Sequence, residues 1–289
     1  MIRSITSSDN IDVIRDLIKS GHNIDAQDYE GKTPLICAAQ SGYIERVVIL
    51  LDHKAKINEV DNKKRSALIY AIRNNYWDIF NYLIKSGADV NIADHNGQTV
   101  LMYAVKYCST QYSAILLKNG ADINKCDETG CSALFFAIVN KNIDIFHFLI
   151  KKGINIHIKD NIGRSILIYM CDRNYAHYID LLVQKGIDVN ERDLNGKTAL
   201  MYAIKNECTD IVEKLIINHA DINAVDNYGY TPLMYASKNK CLCNIKLLVE
   251  EGAYVNSRNK DGNQAIDLVC LEEEPQKDII EYLVCMSIY

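Results

Sequence analysis

The sequence predicts an all-α solenoid, built from stacked helix–turn–helix units with a β-turn loop and a 33-residue period. Three columns of residues predict it. Asp recurs every 33 residues as Asp28, Asp61, Asp94, Asp127, Asp160, Asp193 and Asp226, and Asn259 continues the series. Five residues after each Asp stands Thr33, Ser66, Thr99, Ser132, Ser165, Thr198 or Thr231, and seven after it Leu35, Leu68, Leu101, Leu134, Leu167, Leu200 or Leu233.

Each element of the unit has a physical reason. Asp followed three places later by Gly31, Gly97, Gly130, Gly163, Gly196 or Gly229 is turn chemistry, because Asp bonds its own backbone and Gly admits positive φ. Ser or Thr then serves as helix N-cap. Pro34 and Pro232 occupy the first helical position, where a missing N–H is harmless. Leu and the small residues Ala38, Ala71, Ala104, Ala137, Ala203 and Ala236 share one helix face, which lets a second helix approach. That second helix shows an apolar stripe, as in 78–84 and 210–216. It ends at Gly87, Gly120, Gly153, Gly186 or Gly252, as a left-handed C-cap requires. A short extended piece such as 88–91 leads to the next turn.

This unit resembles the ankyrin repeat, with 226–236 and 252–256 as its clearest copy. The resemblance covers nearly the whole chain as a single repeat domain. Full repeats run 28–60, 61–93, 94–126, 127–159, 160–192, 193–225 and 226–258. Residues 1–27 read as a truncated N-terminal capping repeat with a helix over 11–18. Residues 259–289 read as a C-terminal capping repeat. Helix spacing gives a curved rod about 75–85 Å long. Polar caps are expected at Ser4, Ser7, Ser8 and Asp9 and at Glu272, Glu273 and Glu274.

Departures from the family pattern mark expected irregularities. The His usual after Leu is replaced by Ile36, Ile69, Met102, Phe135, Ile168, Met201 and Met234. Between the helices only Gly42 keeps glycine. Asn75 and Asn174 tolerate a left-handed conformation, whereas Cys108, Lys141 and Glu207 adopt it at greater cost. His219 replaces a C-cap glycine, Arg46 stands at a core position, and Tyr169, Met170 and Cys171 add bulk to the fifth repeat. The fourth to sixth repeats are therefore expected to be less regular than the seventh.

Composition bounds function. A net charge of −5 argues against a bulk nucleic-acid binder. No apolar run is long enough for a transmembrane helix, and the N-terminus lacks the features of a secretory signal. Ten scattered cysteines suit a reducing, intracellular, cytoplasmic setting. No phosphate loop, nucleophile elbow or zincin motif occurs, and almost no residues lie outside the repeats, so no catalytic residue, cofactor or metal is expected. Cys208, Cys241 and Cys243 lack a clear fourth ligand, and Cys126 and Cys131 share a loop tip as plain thiols.

The resemblance implies a non-enzymatic, monomeric module that binds another protein along its concave face as adaptor, scaffold or inhibitor. On the variable positions of that face, Lys32, Lys63, Arg65, Arg73, Lys106, Lys159, Arg164, Arg173, Arg192, Lys197, Lys205, Lys238 and Arg258 oppose only Glu30, Glu128 and Asp172. Two readings are open. Either the groove is functionally basic and favours an acidic peptide or surface, or the family pattern places acids elsewhere and leaves bases by subtraction. Tyr70, Tyr103, Tyr169, Tyr202 and Tyr235 with Phe136 form a column that serves either packing or contact. Tyr29, Tyr107, Tyr228 and Tyr230 on variable positions are the aromatic contact candidates, and Trp77 is expected to be partly exposed. The rival to protein binding is a polyanion or anionic membrane surface in the same groove.

Overall fold

The computed structural model describes residues 11–175, 178–270 and 276–288. The capping residues expected at 4–9 and 272–274, and His177, lie outside them. The fold is all-α, and among the described residues four isolated β-bridges close turn loops, such as Val60 to Ser66 and Arg192 to Thr198. The chain forms two compact units, Met1–Asn155 and Ile156–Tyr289.

In the first unit, α1 (Ile11–Lys19) is followed by the pairs α2 (Pro34–Ser41) and α3 (Ile44–Asp52), α4 (Ala67–Arg73) and α5 (Trp77–Lys85), α6 (Val100–Tyr107) and α7 (Thr110–Lys118), and α8 (Ala133–Val139) and α9 (Ile143–Lys151). First helices stack on first helices, α2 on α4, α4 on α6 and α6 on α8. The second unit pairs α10 (Ile166–Asp172) with α11 (Ile179–Gln184), α12 (Ala199–Lys205) with α13 (Thr209–Ile217), α14 (Pro232–Lys238) with α15 (Leu242–Glu250), and α16 (Ala265–Cys270) with α17 (Lys277–Met286). There α10 stacks on α12, α12 on α14 and α14 on α16.

Local chemistry starts each first helix as the sequence predicts. Thr33, Ser66, Thr99, Ser165, Thr198 and Thr231 accept a hydrogen bond from the backbone N–H three residues on. Ser132 does not, and its buried hydroxyl has no partner. The Leu column is at most 1% exposed, so each side chain contributes about 1.5–3 kcal/mol by burial. Ile36, Ile69, Met102, Phe135, Ile168, Met201 and Met234, which replace the family's His, are buried beside it.

Asparagine joins successive repeats in two columns that the sequence reading did not single out. In the first unit Asn58, Asn91 and Asn124 accept from the backbone N–H of Asp89, Asp122 and Asn155. In the second, Asn190 and Asn223 accept from Asp221 and Tyr254. At the ends of first helices, Asn74 donates back to the Gln40 carbonyl, and Asn206 and Asn239 donate to carbonyls of the preceding first helix.

The irregularities fall only partly where expected. In the fourth and sixth repeats the connection between the helices is kept, because Lys141 and Glu207 adopt the left-handed conformation, with φ of 53° and 57°; the missing Ser132 cap bond is the fourth repeat's departure. Asn75, Asn174 and His219 do the same. Cys108 does not. With φ −127° and ψ −170° it is extended, α6 runs on through Tyr107, and the connection takes another path. Arg46 stays in the core position at 6% exposure, its guanidinium 3.9 Å from the Tyr43 ring. The fifth repeat departs as expected, its second helix α11 having six residues where α13 and α15 have nine.

Candidate protein-binding surface

The turns at Asp61, Asp94, Asp160, Asp193 and Asp226 are each organised around a buried aspartate. One carboxylate oxygen accepts the backbone N–H groups two and four residues on, as Asp61 does from Lys63 and Arg65, and Asp193 from Asn195 and Lys197. In four of these turns the other oxygen accepts a phenol. Tyr70, Tyr103, Tyr202 and Tyr235 donate to Asp61, Asp94, Asp193 and Asp226 at 2.7–2.8 Å. The tyrosine column thus satisfies buried charges, which answers the choice between packing and contact for these hydroxyls. Burial, then the aspartate bond, pushes all four phenols above their ordinary pKa.

The ring faces of the column carry cations. Arg65 and Lys32 lie 4.8 and 5.6 Å from the Tyr70 centroid, and Arg164 and Arg173 lie 5.0 and 5.5 Å from that of Tyr169. Lys197 lies 5.1 Å from the Tyr235 ring, and Tyr230 packs on the same ring at 5.6 Å. Lys106 lies over Tyr107, which stacks on Tyr103 at 5.9 Å. These contacts bring several of the sequence-predicted residues together within each unit.

Exposure divides the basic residues into two groups. Arg65 donates from Nε and Nη2 to Asp61, and Arg164 bridges Asp160 and Asp172. Burial alone would raise the Asp61 carboxyl, but the Arg65 and Tyr70 bonds outweigh it and hold it below its ordinary range. Lys32 corrects the expectation of exposure. It is 8% exposed, packs over the first helices and pairs with Glu30 at 2.6 Å. By contrast Lys63, Arg73 and Lys106 in the first unit, and Arg173, Lys205 and Lys238 in the second, are exposed and have no carboxylate partner among the described residues. Lys197 is half-buried with its charge over the Tyr235 ring.

Aromatic candidates divide similarly. Tyr29, Tyr228 and Tyr107 are 91%, 60% and 41% exposed, while Tyr230 is half-buried against Tyr235. The sequence reading passed over Leu194 and Ile162, which stand exposed on adjoining turn tips, the Leu194 N–H donating to the Ile162 carbonyl. An apolar residue at a variable turn position was the signal available for them. No group of three or more His, Cys, Asp or Glu side chains placed to hold a metal ion occurs among the described residues. No described helix is long and apolar enough to cross a membrane.

The family profile described as ankyrin repeats (3 copies) matches residues 2–94, 87–160, 155–226 and 205–288. Comparison with curated proteins gave no significant match. Ankyrin repeats generally mediate protein–protein interaction, and the family is typically non-enzymatic. The 33-residue turn–helix–helix unit, its capped helices and a profile match over almost the entire length place the chain in the ankyrin-repeat family, to which it belongs.

Proposed function

We propose that the protein is a non-enzymatic adaptor, scaffold or inhibitor that binds an acidic peptide or protein surface on its turn tips and first helices. The observation that carries this reading is the set of exposed bases without carboxylate partners, Lys63, Arg73, Lys106, Arg173, Lys205 and Lys238. Tyr107 beside Lys106 in the first unit, and Tyr29 and Tyr228 on turn tips, supply exposed aromatic area, and Tyr230 a rigid, half-buried edge. Arg65, Arg164 and Lys32 support the surface from beneath by holding turns together. Their pairing accounts for part of the apparent basic excess, and the unpaired residues are what an acidic partner would meet.

The exposed charges would steer association with such a partner, and that attraction would fade as salt screens them. The rival partner, a polyanion or anionic membrane, is separable by experiment. Binding of a fluorescein-labelled oligoglutamate peptide, a DNA duplex of equal charge and phosphatidylserine vesicles should be measured at matched ionic strength. The reading expects saturable peptide binding that exceeds the other two. Preference for duplex or vesicle would transfer the surface to the rival.

A further inference from the structure

One recess in the first unit meets the turn-tip and first-helix surface only at Tyr107. It is a cleft of about 630 Å³ on the edge where first helices connect to second helices. Its origin is the extended Cys108. In the second and fourth repeats Asn75 and Lys141 turn left-handed and the chain closes back on the first helix, with Tyr76 N–H donating to the Ala71 carbonyl and Asn142 N–H to that of Ala137. In the third repeat that closure is absent. The α5 and α7 helices, which approach less closely than other neighbouring second helices of this unit, are separated by aromatic rings. Trp77 meets Tyr112 edge-on at 4.8 Å, and Phe80 lies 4.6 Å from Tyr112.

The lining is aromatic and acidic. Trp77, 38% exposed, and Tyr107, 41% exposed, contribute ring surface, and Asp144 contributes a carboxylate. Asp78 lines the adjoining recess, which shares Asn75 and Trp77 with the cleft. Neither recess has a Lys or Arg in its lining. Tyr112 also lines the cleft, is 3% exposed, and has a hydroxyl without a partner. Burial, with Cys108 and Asp78 nearby, pushes that phenol up to about 12, which keeps it a neutral donor and acceptor. Three helix N-termini converge here, which alone would favour an anion. Two of them already carry Asp78 and Asp144 in the first turn.

We infer that this cleft is a second docking point that takes an arginine or lysine side chain of a protein partner, with Asp144 as counter-charge and Trp77 as the cation–π surface. Its charge preference is opposite to that proposed for the turn tips, so the two sites would engage different parts of a partner. The Lys106 ammonium lies 5.1 Å from the Tyr107 ring but outside the lining, so that ring already holds one cation.

Trp77 is the sole tryptophan of the chain, which makes it a direct reporter. The full chain should be titrated with N-acetyl-L-arginine amide and, as an aliphatic control, N-acetyl-L-norleucine amide, at constant ionic strength, following Trp77 fluorescence. A saturable response to the arginine derivative alone is expected. Asp144→Asn should weaken it roughly fivefold or more, and Asp144→Glu should retain it. Circular dichroism checks that the variants are folded. No saturable response in the wild type, an equal response to the norleucine derivative, or an unchanged titration in folded Asp144→Asn would each overturn the assignment. Oligoglutamate binding at the turn tips is read separately and does not decide this result.

Discussion

The turns at Asp61 and Asp193 are built from the same parts and differ at the fifth position of the repeat. Both aspartates are buried, both hold two backbone N–H groups, and both accept a phenol, from Tyr70 and Tyr202 respectively. Arg65 adds two N–H donors to Asp61, whereas Lys197 makes no ion pair with Asp193 and rests on the Tyr235 ring. A guanidinium offers a rigid fork, which a side-chain carboxylate four residues away can accept. An ammonium is a point charge on a flexible stem. In this protein a basic residue at the fifth position is therefore structural when it is Arg, as at Arg65 and Arg164. When it is Lys the role follows its neighbours: Lys32 finds Glu30, and Lys197 lies over the Tyr235 ring.

The largest expected effect comes from removing the aspartates. Asp61→Ala leaves the Arg65 guanidinium half-buried and unpaired, so it should destabilise by about 3–5 kcal/mol. Asp193→Ala strands only neutral donors and should cost about 1–3 kcal/mol. Urea unfolding of the two variants tests this order. Equal losses would break the comparison.

A smaller and more specific contrast lies in the phenols. Tyr202→Phe removes the only side-chain donor to that oxygen of Asp193 among the described residues and should destabilise by about 1–3 kcal/mol. Tyr70→Phe leaves Arg65 on Asp61 and should lose about 0.5–1.5 kcal/mol. Thermal melting of both variants ranks them, and a larger loss for Tyr70→Phe would contradict the assigned roles.

pH dependence sharpens the contrast at both ends of the scale. The depressed Asp61 carboxyl contributes stability above the ordinary value near 3.8, lost as pH falls through its lower folded value. Arg65→Gln should flatten that acid limb of a stability profile, and Lys197→Gln should leave it unchanged. At the alkaline end Tyr70, Tyr103, Tyr202 and Tyr235 have raised pKa values. Their contribution is full below the ordinary phenol value of about 10 and is lost as pH rises above it. Phenolate absorbance from these four should therefore emerge together with unfolding. Its appearance in the folded protein just above that pH would contradict their burial on aspartate.

How far the sequence was legible follows from the range of each interaction. Helix starts at Thr33, Thr99 or Thr231 depend on a hydrogen bond spanning three residues, so spacing alone revealed them. The phenol of Tyr103 reaches Asp94 nine residues back across a turn, and its partner follows only from the folded path. Asn91 and Asn190 recur at the same 33-residue spacing as Asp, but their partners sit in the next repeat. Cys108 was read by its position as left-handed. The backbone avoided that conformation by extending, which no local propensity encodes. For the surface, residue type gave the count of bases, while pairing and exposure, visible only in three dimensions, separate Arg65 and Lys32 from Arg73 and Lys106.

The smallest effect on stability should accompany the largest effect on function. Lys106 and Lys205 are exposed and unpaired, so Lys106→Gln with Lys205→Gln should change stability by less than about 0.5 kcal/mol. The most direct test is fluorescence anisotropy of labelled oligoglutamate with two double variants, this one and Arg65→Gln with Arg164→Gln, at low salt and at a temperature where both are folded. Binding should weaken severalfold in the lysine variant and remain close to wild type in the arginine variant. Unchanged binding in the lysine variant, or loss confined to the arginine variant, would contradict the division between presented and structural bases.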